Sequence, residues 1–147
     1  MLEKSINPLQ FLCDAVPELL AAIPEQGFAQ KRSTEEWSKK EILGHLIDSA
    51  TNNHQRFIRV QFENVPTIIY DQNKWNTYSH YNDIDIRHLI SFWEIYNRHL
   101  MDIIKHIPKE NLTKTCKTHE IKNVTLQWII EDYIVHMEHH LHQLIKY

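Results

Sequence analysis

Four stretches of this chain repeat apolar residues at the 3.6-residue spacing of an amphipathic helix, and together they account for most of its 147 residues. The first runs from Pro8 to Ile23, with Leu9, Leu12, Val16, Leu19 and Leu20 on one face. Pro8 suits a first turn and Pro24 a stop, while Pro17 falls inside the pattern and is expected to kink or split the helix. The second starts at Ser38, where Glu41 three residues later completes a capping-box signature, and continues to about Glu63. Its apolar face holds Ile42, Leu43, Leu46, Ile47, Ala50, Phe57 and Ile58. The third runs from about Asp83 to His106. The fourth follows a linker from Pro108 to Asn123 and aligns Leu126, Ile129, Ile130, Tyr133, Met137, Leu141 and Leu144. Each stripe has to be buried against another, so the expected fold is all-α, a four-helix bundle filling residues 1–147 as one domain. The stretch from Asn64 to Asn82 contains Pro66, a short β-like run from Thr67 to Tyr70 and a polar tract, and reads as a connection rather than a helix. A link of about 20 residues can run the length of a bundle and set the second and third helices parallel, and loops so long usually carry function.

Composition excludes several classes. The only glycines are Gly27 and Gly44, too few for a phosphate-cradling loop or a dinucleotide fingerprint. The net charge of −3 and the absence of a basic stripe disfavour nucleic acid. No apolar run approaches membrane length, and the first 25 residues lack a signal-peptide layout. Cys13 and Cys116 form no CxxC and read as reduced thiols, so the expected location is the cytoplasm. No serine sits in a GxSxG elbow, and Glu138 does not complete an HExxH zinc-protease order.

The chemistry that remains lies in histidines. His136 and His140 are one turn apart on the fourth helix; His140 points into its apolar face and His136 to the edge. With 11 histidines the spacing alone is near chance. A histidine turned toward a core, however, needs a hydrogen bond or a metal. His45 lies seven residues past Ser38, about 10 Å into the second helix. If the second and fourth helices pack antiparallel, the three imidazoles meet at one level. Core histidines satisfied by hydrogen bonds are the competing reading.

The segments WSKKEILGHLIDS (from Trp37), YDQNKW (from Tyr70) and HMEHHLHQL (from His136) resemble the DinB/YfiT-like superfamily, in order and at similar spacing. The resemblance implies a four-helix bundle in up-down-down-up order, with a divalent metal held by His45, His136 and His140, usually zinc or nickel, and water completing the shell. It also implies a homodimer. Activities known in that superfamily include thiol S-transfer with bacillithiol or mycothiol and a mycothiol-dependent isomerisation; other members are regarded as metal-dependent hydrolases. The implied partners are a small-molecule substrate and a low-molecular-weight thiol. A non-catalytic metal- or ligand-binding bundle is the alternative.

Three neutral nitrogens leave zinc its full charge and an open position, the arrangement of a catalytic site. Around it, His45, Asp48, Asn52 and Arg56 form a polar stripe on the second helix. Asp48 or Asp132 would orient substrate or accept the second N–H of a metal-bound histidine, and Arg56 would hold a carboxylate; solvated edges or surface ion pairs are the plainer readings. Tyr70, Asp71, Trp75 and Tyr78 would line the mouth, and Gln143 shares the side of His136.

Overall fold

The computed structural model describes residues 2–119 and 122–147. Four long helices build it: α1 (Glu3–Ala21), α3 (Lys39–Arg59), α5 (Ile86–Lys105) and α6 (Leu126–Leu141). Two short helices, α2 (Glu25–Ala29) and α4 (Gln72–Ser79), lie in the connections, and β1 (Thr115–His119) pairs antiparallel with β2 (Lys122–Thr125) ahead of α6. α1 packs on α5, α5 on α3, α3 on α6 and α6 on α1, which closes a four-helix ring. His54 lies against Tyr96 and His99, and farther along both chains Gln61 bonds Asn111, so α3 and α5 run parallel. His45 meets His136 while Arg56 shares a cleft with Trp128, so α3 and α6 run antiparallel. The long crossover and the helical bundle are thus as expected, with the hairpin an addition to an otherwise all-α architecture.

The differences have physical reasons. α1 begins at Glu3 and passes both Pro8 and Pro17 without a break. An interior proline costs on the order of 3 kcal/mol, but Leu9, Leu12, Cys13, Val16 and Leu20 are all fully buried along one stripe that a split helix would misalign. α4 was not expected; its sequence QNKWNTYS is polar, and it is held by its ends rather than by an apolar face. Asp71 caps it by accepting from Asn73 N and Lys74 N, and Asn76 donates to the Glu41 carbonyl. The β-like run at 67–70 reduces to one bridge, Thr67 with Lys117. The linker at 108–123 instead carries a turn of 3-10 helix and β1, whose burial alternates with period two through Cys116 and Thr118.

The core sits between the four helices, around Trp93, Phe57, Leu100 and Ile130. The Ser38–Glu41 capping box is present, and Ser38 Oγ also donates to Asn82 Oδ1 at 2.7 Å. This one contact fixes where α3 starts and ties it to the far end of the crossover. No helix among the described residues is long and apolar enough to cross a membrane.

Candidate metal centre

His45 on α3 and His136 and His140 on α6 converge, each offering a nitrogen within 4.8 Å of the others. Ring centroids are 5.0 Å apart for His45–His136, 4.7 Å for His45–His140 and 4.7 Å for His136–His140. The Nε2 atoms of His45 and His136 face each other at 3.1 Å. Two nitrogens bound tetrahedrally at 2.0–2.1 Å are separated by about 3.3 Å, so this pair already stands at the edge length of such a shell. His45 is wholly buried, and burial, followed by the neighbouring His136 and His140, takes its pKa down to about 3. His136 falls to about 4, again chiefly through burial, and His140 is lowered by burial as well. Neutral imidazoles are the form in which histidine ligates a metal.

The tautomer of His140 is set by Gln143. Its Nδ1 lies 3.0 Å from Gln143 Oε1, an acceptor, so Nδ1 carries the proton and the Nε2 lone pair is left for the cluster. Trp37 packs against the His45 ring at 4.8 Å. The residues present therefore fit a divalent metal.

The remaining polar residues of α3 divide by face. Asp48 is buried, not on a solvated edge; its Oδ1 accepts from the Tyr81 hydroxyl at 2.5 Å while Oδ2 has no partner. Burial pushes its pKa up to about 6, with the Tyr81 bond pulling the other way. Tyr81 itself is held far above the ordinary tyrosine range by burial and then by Asp48. Tyr81 can sit there because residue 44 is glycine: a Cβ on Gly44 would lie 2.1 Å from the Tyr81 ring. Asn52 is also buried and donates to the Asp48 carbonyl, so it supports its own helix.

Arg56 turns to the other side. With Ser49, Asn53, Tyr70, Thr118, Trp128, Asp132 and His136 it lines a cleft of about 430 Å³ between α3, α6, β1 and the crossover. Its Nε and Nη2 donate to the Ile68 carbonyl and its Nη1 to Asn53 Oδ1, and burial lowers its pKa. Asp132 is exposed at this cleft. Trp75 packs on Tyr70 with centroids 5.9 Å apart, Asp71 is spent on capping α4, and Tyr78 points to solvent. A second, larger cleft of about 880 Å³ opens beside His140, walled by Trp37, Lys39, Ile42, Asn73 and Gln143.

Sequence reasoning missed Trp37, Ser49, Asn53, Tyr81, Thr118 and Trp128. The stripe at His45, Ser49, Asn53 and Arg56 was readable as i, i+4, i+8, i+11. Tyr81 and Trp37 come from connections with no periodic signal, and Thr118 comes from a strand of five residues.

Two solved structures share this architecture. YfiT from Bacillus subtilis, a probable metal-dependent hydrolase with an unusual four-helix bundle topology, superposes with a TM-score of 0.86 at 17% identity, over 97% of this chain and 82% of that one. The chain has the fold of YfiT. A histidine-to-alanine mutant of the mycothiol-dependent maleylpyruvate isomerase superposes with a TM-score of 0.80 at 11% identity, over 98% of this chain and 60% of that one. No family profile and no curated protein sequence matches.

Proposed function

We propose that the protein is a metal-dependent enzyme of DinB/YfiT type that acts on a small molecule at a divalent ion held by His45, His136 and His140, with zinc or nickel as the ion. The observation that carries this reading is the meeting of three neutral imidazoles, two of them at tetrahedral edge distance, where one cleft reaches His136 and another reaches His140. Such an ion, when bound, lowers the pKa of a water or thiol and polarises a carbonyl. The chain's part is to hold the ligands neutral, to fix the His140 tautomer through Gln143 and to shield His45 beneath Trp37.

Two clefts meeting at one centre favour a two-substrate reaction, and thus thiol S-transfer with a low-molecular-weight thiol over simple hydrolysis. The named activities of the two structural neighbours, a hydrolase and a thiol-dependent isomerase, accord with small-molecule chemistry at such a site. The same reading takes the chain as one domain and a homodimer working in the cytoplasm.

Elemental analysis of untagged protein is the test, with His45→Ala and His136→Ala beside wild type. About one metal per chain in wild type and little in either variant is the expected result; occupancy unchanged by His45→Ala would overturn the ligand set. A panel of electrophiles with bacillithiol-like thiols, beside ester and amide substrates, then separates transfer, hydrolysis and binding without turnover.

A further inference from the structure

The cleft beside His136 holds a cation that forms no ion pair among the described residues. Among the described residues no carboxylate lies within 4 Å of the Arg56 guanidinium. Guanidinium has five N–H donors. Three are used, two on the Ile68 carbonyl and one on Asn53 Oδ1, which leaves one on each terminal nitrogen. Nearby on the wall of the same cleft, the Thr118 hydroxyl is buried and has no hydrogen-bond partner. A buried hydroxyl without a partner is costly in a protein at rest and is relieved by a ligand that accepts its proton. Asp132 is the one acidic residue on this wall; it attracts Arg56 from a distance, and because it is exposed to water that attraction is weakened by screening.

The distance along α3 then fixes the length of what would bind. Arg56 follows His45 by eleven residues, about three turns, so both side chains leave nearly the same face about 16 Å apart along the axis. A long helical side chain leans back toward the helix N-terminus, which brings the guanidinium to within roughly 10 Å of the histidine cluster by that same geometry.

We infer that this cleft selects an elongated small molecule with a carboxylate at one end, gripped by Arg56 and Thr118, and with its metal-binding atom roughly 10 Å away at the other. The inference rests on the proposed metal centre for the second end only. It makes Arg56 a specificity residue, although its bonds to Ile68 also brace the crossover.

Mercaptoalkanoic acids serve as a ruler. Cobalt(II)-loaded protein is titrated with 3-mercaptopropionate, 8-mercaptooctanoate and 8-mercaptooctan-1-ol, reading the thiolate-to-cobalt charge-transfer band. In parallel, metal-free ¹⁵N-labelled protein is titrated with the two eight-carbon probes, following the Trp128 indole N–H. The expected result is binding of the long acid at least tenfold tighter than the alcohol or the short acid. In the metal-free arm the acid should shift Trp128 and the alcohol should not. Arg56→Lys should abolish the preference. Thr118→Val, which removes a hydroxyl with no partner and keeps the shape, should weaken it several-fold without loss of fold. Equal affinity for acid and alcohol, or a preference that survives both substitutions, overturns the inference and leaves the metal reading intact. No cobalt uptake with acid-selective shifts still present at Trp128 removes the metal reading and upholds the carboxylate grip.

Discussion

Three histidines held neutral inside a bundle make the metal-free protein acid-sensitive, and the size of the effect follows from their environments. His45 and His136 have pKa values near 3 and 4 in the folded chain against about 6.5 unfolded. A group whose folded pKa is depressed contributes stability that is present above its unfolded value and is lost as pH falls toward the folded one. Between pH 7 and pH 5 the unfolded chain takes up a proton at each of these positions while the folded chain does not, a loss of about 2 kcal/mol per histidine. Asp48 acts in the opposite direction. Its folded value near 6 lies above the unfolded 3.8, so protonation on going to pH 5 favours the folded state by about 1 kcal/mol. The net expectation is a loss of about 3 kcal/mol, a large share of the 5–15 kcal/mol typical of a domain. Urea unfolding followed by tryptophan fluorescence in excess chelator, at pH 7 and pH 5, measures it. Asp48→Asn keeps an oxygen for the Tyr81 hydroxyl and removes the compensation, so its loss should deepen to about 4 kcal/mol. Wild-type stability that is flat within 0.5 kcal/mol across this interval, about the scale of an inconsequential surface substitution, would refute the argument that burial keeps these imidazoles neutral.

Gly44→Ala should cost about 1–3 kcal/mol by overpacking, or more if Tyr81 leaves Asp48, and thermal unfolding with and without Tyr81→Phe would show whether the two effects are coupled. Gln143→Ala removes the acceptor that fixes the His140 tautomer; metal affinity should fall about 10- to 100-fold in a competition titration while the fold, by circular dichroism, is unchanged. Tyr133→Phe strands Asn97 Oδ1 in the core, where it now accepts from the Tyr133 hydroxyl at 2.6 Å; a loss of about 1–3 kcal/mol in chemical denaturation is expected.

The parts of the fold that the sequence revealed are those in which one face of one helix has a single job. The stripes of α1, α3, α5 and α6 are long enough to override two prolines, and the capping box at Ser38 places the start of α3 correctly. α4 escaped because its stability comes from a side-chain cap and from Asn76 reaching back to α3. The hairpin escaped because its two strands are short and, among the described residues, bury only Cys116, Thr118 and Val124, too few positions to show a period. In the site, the histidine trio was legible because helix spacing fixes which side each imidazole takes. Asp48 and Asn52 were grouped with Arg56 on one polar edge, whereas both are buried and Asp48 faces Tyr81, a residue 33 positions away that no local pattern connects to it.

The two halves of the histidine cluster are separated by 91 positions in the chain, from His45 to His136. No short segment can assemble the cluster by itself. An ion bridging α3 and α6 would bind only the folded arrangement and so would add its binding free energy to the docking of these two helices. Loss of metal would then be felt as looser docking between the two helices, well before it was felt as any change in the helices themselves. Limited proteolysis of the hairpin and crossover, which lie between the two histidine-bearing helices in the chain, would report that loosening directly.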